Sequence, residues 1–355
     1  MTTGRERAAE SDTTDPETQM MNANPHTWTA STAAGGRPRA ARIMAPGQVE
    51  IVPITPRDPG ATEVRIAIEG CGVCASNLGP WAGPDWLEFP LDPGALGHEA
   101  WGVIEAVGHQ VRDLRPGQRV AFAGQGGFAT HETVAASSVI PLPRELDGQP
   151  VPAEPLGCAV NVFHRAGGRP GDRVAIIGIG FLGALLVRQA AQVGAEVIAI
   201  SRRDSSLQLA RDMGADHVIP MDDHWRIIED VKRLTGDRLC DTVIEVVGKQ
   251  WPLDLAAELV REGGQLVIAG YHQDGPRQVN MQMWNWKGID VINAHERDPQ
   301  VVMRGMRDAV RAVAEGRLDP RPLYSATYPL EELGVALDAT RDKPGNFVKA
   351  LIQCD

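Results

Sequence analysis

The chain has 355 residues, 43% hydrophobic and 23% charged, which suits a globular protein long enough for two domains with separate cores. A net charge of −11 and a pI near 5.3 argue against nucleic acid or an anionic membrane as the main partner. No apolar run approaches the roughly 20 residues of a membrane helix, and five scattered cysteines make a poor disulfide framework, so a cytoplasmic location is expected.

Residues 1–38 are rich in Thr, Ala, Ser, Asn and Gly, lack periodicity, and read as a disordered tail without a secretory h-region. Short strands broken by Gly and Pro follow: QVEIVPI, EVRIAIEGCG, GHEAWGVIEAVG, QRVAFAG and HETVAASSVIPLP. They predict a compact antiparallel β unit over 39–160. At about residue 172 the texture changes, and RVAIIG, EVIAIS, HVIP, DTVIEVVG and QLVIAGY alternate with helical segments. Those helices are GALLVRQAAQVG, SLQLARDMG, HWRIIEDVKRLTG and LDLAAELVREGG. Continuous apolar strands with helical crossovers predict a parallel sheet covered on both faces, placed over 161–296. After DVINAHE come a helix at about 299–316 and a mixed tail ending NFVKALIQ, so that 297–355 completes the first unit.

The strand VAIIG runs into Gly178-Ile-Gly180-Phe181-Leu182-Gly183, which opens a helix. In that βαβ setting Gly178 allows the tight turn, Gly180 lets the backbone approach a pyrophosphate, and Gly183 allows close helix–strand contact. The next strand ends at Ser201-Arg202-Arg203, where an NAD site usually places Asp or Glu on the ribose. A carboxylate would repel a 2′-phosphate, whereas Ser and two Arg would bind it, so NADP is preferred and NAD is the alternative.

In EGCGVCASN, Cys71 and Cys74 have no second CxxC to make a zinc ribbon, and the context is wrong for a thioredoxin-like pair. Cys74, His98, Glu99 and Glu154 are thiolate, imidazole and carboxylates, the ligand types of a catalytic zinc. Spacing alone leaves His98 open as a core histidine and Ser76 as a strand-end serine.

GVCAS, GHEAWGVIEAVG, GQRVAF and GGFATHETV stand in the order and at the spacing of the zinc-dependent medium-chain dehydrogenases, the alcohol, polyol and sugar dehydrogenase family. From about Ala40 to Asp355 the chain resembles that family. The resemblance implies an α/β protein, a GroES-like β-rich catalytic domain plus a Rossmann doubly wound parallel-sheet cofactor domain. It implies a homodimer or homotetramer that moves hydride between NADP(H) and a secondary alcohol or ketone, on a polyol, sugar or cyclitol. It assigns Cys74 and His98 as zinc ligands and Glu99 as a carboxylate that binds the metal or exchanges with water. Glu154, in an EPL segment, faces zinc or its water, with Cys158 as the competing ligand. Ser76 touches the substrate alcohol and relays its proton. Val246, Val247 and Gly248 line the adenine and ribose side, Ala269 and Gly270 lie near the nicotinamide, and Lys349 sits on the pyrophosphate or is an exposed strand lysine.

Three departures stand against the family pattern. Asn77 replaces an Asp that orients the zinc histidine, though it can still accept from an imidazole N–H. Gly79 replaces a relay histidine, and residues 109–135 have no cysteine for a structural zinc, so one zinc per subunit is expected. A zinc-free quinone or enoyl reductase would lack Cys74 and His98; a nucleotide-binding protein without turnover is the other alternative, suggested by Asn77 and Gly79. His272, His295, Glu296, Trp81, Trp86, Trp284 and Trp286 are candidates for the cleft wall or for ordinary loop and core positions.

Overall fold

The computed structural model describes residues 36–354, so most of the expected tail lies outside the described residues. The first half is built on β3 (Glu63–Gly72), where Val64, Ile66 and Ile68 alternate inward with the two-residue period of a half-buried strand. β1 (Arg39–Ala45) and β2 (Gln48–Pro53) form a hairpin beside it. β4 (Ala100–Val107), β5 (Arg119–Phe122), β6 (His131–Ala135) and β7 (Val139–Pro141) follow in the chain. β14 (Tyr324–Pro329) and β15 (Lys349–Gln353) return from the C-terminus to join β3, giving the order β14-β15-β3-β4-β5-β7, with β6 also on β3.

The second half is a six-stranded parallel sheet of β8 (Arg173–Ile177), β9 (Glu196–Ser201), β10 (His217–Pro220), β11 (Cys240–Glu245), β12 (Val260–Ile268) and β13 (Asp290–Asn293). Its order, β10-β9-β8-β11-β12-β13, is the doubly wound one, with the topological switch between β8 and β11. The expected helix LDLAAELVREGG is shorter than its pattern suggested: it ends at Leu259, and Val260 opens β12 by pairing with Cys240. Gly263 at φ +62° and Gly264 are poor helix residues, so the helix stops before them, and regular pairing with β11 resumes at Gln265.

The helices Ala153–Ala166 and Pro299–Ala314 carry the chain out of the first half and back into it. They share an apolar cluster with the β8 side of the parallel sheet, which includes Leu156, Ala159, Ala309 and Ala312. A second cluster joins Trp101 and Tyr324 of the first half to Met303 and Met306, so the halves meet across a continuous apolar seam. No helix among the described residues is long and apolar enough to cross a membrane.

Candidate active site

The end of β3 delivers Cys74 to the mouth of this seam, and a short helical turn follows at Ala75–Asn77. The Cys74 sulfur, a His98 ring nitrogen and a Glu99 oxygen all lie within 4.8 Å of one another. His98 Nδ1 stands 2.8 Å from Leu96 O. A carbonyl only accepts, so Nδ1 carries the proton and Nε2 is left free as a ligand. Asn77 does not accept from the imidazole as the sequence suggested. Its Nδ2 donates to that same Leu96 carbonyl at 3.0 Å, while its Oδ1 accepts from Cys74 N at 3.0 Å. Leu96 has φ +74°, a left-handed conformation uncommon for leucine, and its carbonyl serves both groups.

Glu99 is fully buried and pairs with Lys349 Nζ at 2.6 Å; Lys349 also donates to Val73 O at 3.2 Å. The other carboxylate oxygen, Oε1, is buried without a hydrogen-bond partner. Gly72 is what makes room for the pair, since a Cβ there would lie 1.9 Å from Glu99 Oε2. Lys349 is therefore not an exposed strand lysine: it is 4% exposed, and its ammonium lies 4.6 Å from the centre of the Phe181 ring.

Glu154 and Cys158 lie one turn apart on the helix Ala153–Ala166, with the Cys158 thiol donating to Glu154 Oε1 at 3.1 Å. They stand beside the 4.8 Å group rather than within it. Burial pushes the Glu154 carboxyl up, and burial followed by Glu154 pushes the Cys158 thiol well up. Cys158 nonetheless exposes surface to solvent. Burial works against a charged His98, but Cys74, Glu99 and Glu154 outweigh it and push the imidazole up to about 10. The field at this point favours a cation, and a free buried carboxylate oxygen faces the same need. The donor set fits a zinc ion.

Gly178 has φ +99°, and a Cβ on Gly183 would meet Gly178 O at 2.0 Å, whereas one on Gly180 would meet nothing within 4 Å. Leu182 lies in the first turn of the helix Phe181–Gln192, which has no side-chain cap. Phe181 turns its ring toward the first half, stacking on Tyr324 at 6.2 Å. Ser201 is buried at the end of β9, and Arg202 is exposed. Arg203 donates to Phe347 O at 3.0 Å. Lys343, which the sequence reading missed, is pushed down by burial, then by Arg203 and Arg202, so three cations gather here.

Val247 N and Gly248 N both donate to Glu245 Oε1, at 2.6 and 2.7 Å. A Cβ on Gly270 would lie 2.5 Å from Glu245 Oε2, so that strand end must be glycine. His272 Nε2 contacts the same Oε2 at 3.1 Å, and Arg277 Nε donates to His272 Nδ1 at 2.9 Å. His295 is held on Gly270 O at 3.1 Å, and Glu296 accepts from Arg297 N and Asp298 N. Trp81 is a core residue bonded to Asp338, and Trp284 lines a separate cavity of about 290 Å³ with Trp225 and Trp251. Trp86 and Trp286 are exposed.

Comparison with known proteins agrees with this geometry. Residues 60–144 match the alcohol dehydrogenase GroES-like domain, and residues 182–314 match the zinc-binding dehydrogenase family. An alcohol dehydrogenase of Geobacillus stearothermophilus is 30% identical over 78% of this chain and 88% of its own length. A sorbitol dehydrogenase of Gallus gallus is 27% identical over 91% of this chain and 98% of its own. A Sinorhizobium meliloti 1021 protein solved bound to NADP superposes with a TM-score of 0.77 at 25% identity, over 90% of this chain and 99% of its own. With both domains, the glycine loop and the ligand cluster in place, the chain belongs to the zinc-dependent medium-chain dehydrogenase family.

Proposed function

We propose that this protein is a zinc-dependent oxidoreductase that interconverts a secondary alcohol and a ketone with NADP(H), acting on a polyol, sugar or cyclitol. The observation that carries the reading is the junction of two sites. The Cys74, His98 and Glu99 donors lie within 4.8 Å, and Lys349 links them to Phe181 at the start of the glycine-loop helix. Cys74 Sγ, His98 Nε2 and the Glu99 carboxylate, with Glu154 or Cys158, would hold one zinc ion. When bound, zinc would supply Lewis-acid activation of an alcohol oxygen and the nicotinamide would serve as hydride acceptor. Leu96 O and Asn77 hold the imidazole in its ligating tautomer. Ser76, two residues past Cys74, takes the alcohol's proton at Oγ and passes it to cleft water, since Gly79 offers no imidazole.

Arg202, Arg203 and Lys343 support NADP, because none of the three is in an ion pair among the described residues and a 2′-phosphate would neutralise them. The NADP-bound structural neighbour supports the same choice. The dinucleotide-side loops are set by Glu245, with Val247 and Gly270 closing on it. A homodimer is supported by the edge position of β13 in the parallel sheet, where Val291 is exposed, and by the exposed Met281 and Trp286 on the helix Met281–Lys287 that precedes it. Metal analysis, combined with a panel of alcohols, polyols and ketones assayed with NADP(H) and NAD(H), tests the reading. A metal-free protein that reduces enones would refute it.

A further inference from the structure

Gly79 lies in the helix Leu78–Ala82, three residues past Ser76 of the turn Ala75–Asn77 that runs directly into it. Its backbone does not demand glycine, since its φ lies outside the left-handed region. A glycine within a helix costs stability relative to alanine, so some other constraint favours it here. That constraint is Gln273. A Cβ built on Gly79 would lie 2.9 Å from Gln273 Oε1, 3.2 Å from its Cδ and 3.5 Å from its Nε2. The Gln273 amide stands where a side chain at residue 79 would begin.

Gln273 belongs to the cofactor half, on the loop that follows β12, so its amide crosses to the catalytic half beside the Ser76 turn. The loop is anchored next door: His272 contacts the buried Glu245 at 3.1 Å and accepts from Arg277 Nε at 2.9 Å. The Gln273 side chain itself is exposed and has no hydrogen-bond partner among the described residues. A neutral amide does not exchange protons at ordinary pH, so it is no substitute for a relay histidine. It does offer a donor and an acceptor on one planar group, the complement of a hydroxyl, which is both.

We propose that Gln273 is a substrate-binding residue whose amide hydrogen-bonds the hydroxyl next to the reacting carbinol, so that the site selects vicinal diols and polyols over simple secondary alcohols. The inference rests on the reading above, which places Ser76 at the reacting alcohol. Gly79 is then the residue that admits this selector.

The test is the ratio of kcat/KM for a vicinal diol to that for a secondary monoalcohol of the same chain length, measured with NADP. Gln273→Ala is expected to lower the ratio about three- to tenfold, the range of one hydrogen bond between neutral groups. Gly79→Ala, which displaces the amide without removing it, is expected to lower the ratio in the same direction. General damage to the fold lowers both substrates together and does not move the ratio. An unmoved ratio in Gln273→Ala, with a wild type active on alcohols, overturns the selector and leaves the proposed activity intact. A wild type that oxidises no alcohol with either cofactor overturns the activity itself, and the selector with it.

Discussion

Replacing Lys349 with Met probes the buried pair that joins the ligand cluster to the cofactor loop. Lys349 Nζ lies 2.6 Å from Glu99 Oε2, and the two side chains are 4% and 0% exposed. Methionine keeps most of the stem's volume against Phe181 and removes the charge. Glu99 then loses its partner at 2.6 Å while fully buried, and keeps only the His98 imidazole as a nearby cation. Removing one partner of such a pair costs about 3–5 kcal/mol. With a urea slope of about 2 kcal/mol per molar, that is a fall of about 1.5–2.5 M in the unfolding midpoint. The measurement is made with EDTA present, so that metal binding does not enter the balance. Burial works against a charged Lys349, but Glu99 outweighs it and holds the ammonium above its ordinary range. The stabilisation is therefore complete below the ordinary lysine range, about pH 10, and lost only as pH rises beyond it. The lysine's own titration thus adds no pH dependence to the difference below about pH 9. Adding Glu99→Gln to Lys349→Met removes the stranded charge, so the double variant should be more stable than the sum of the two single changes predicts. A midpoint shift below about 0.5 M, or strict additivity in that cycle, would refute the argument.

Three further outcomes follow from the same geometry. Arg202→Ala removes an exposed cation that makes no ion pair among the described residues, and should lower the preference for NADP over NAD by about tenfold or more, the scale of a charged hydrogen bond. An unchanged ratio of the two kcat/KM values removes the basis of the NADP assignment. Asn77→Asp should weaken the metal site although it restores the family's residue. It trades the Nδ2 donor at 3.0 Å from Leu96 O for a carboxylate oxygen facing a carbonyl, at a cost of about 1–3 kcal/mol. Competition with a zinc chelator reads this directly, and tighter zinc binding than wild type counts against it. Val291→Lys on β13, combined with Trp286→Glu on the preceding helix, places charges on two exposed apolar positions, and sedimentation velocity should show a shift from dimer to monomer. A dimer that survives both charges has its interface elsewhere.

Much of the site was legible because its chemistry is carried by short local strings. Cys74 and Ser76 share one turn, His98 and Glu99 are adjacent, and Gly178 to Gly183 lie within one strand–helix junction. What the sequence hid depends on contacts between distant segments. Lys349 reads equally as a pyrophosphate residue and as a surface lysine until β15 is placed against β3, where it meets Val73 O, 276 positions away in the chain. The Asn77 departure reads as a loss until Leu96 is seen at φ +74°, its carbonyl receiving both Asn77 and His98. Glu245 reads as one more strand residue in IEVVG, yet it takes two backbone N–H groups and His272. Gly79 reads as a missing histidine, and in the fold it is the space that Gln273 occupies. Each departure from the motif thus has its own partner from a distant segment, Leu96 for Asn77 and Gln273 for Gly79. The departures at Asn77 and Gly79 therefore argue for a site rebuilt around its own partners, and against one that has lost its activity.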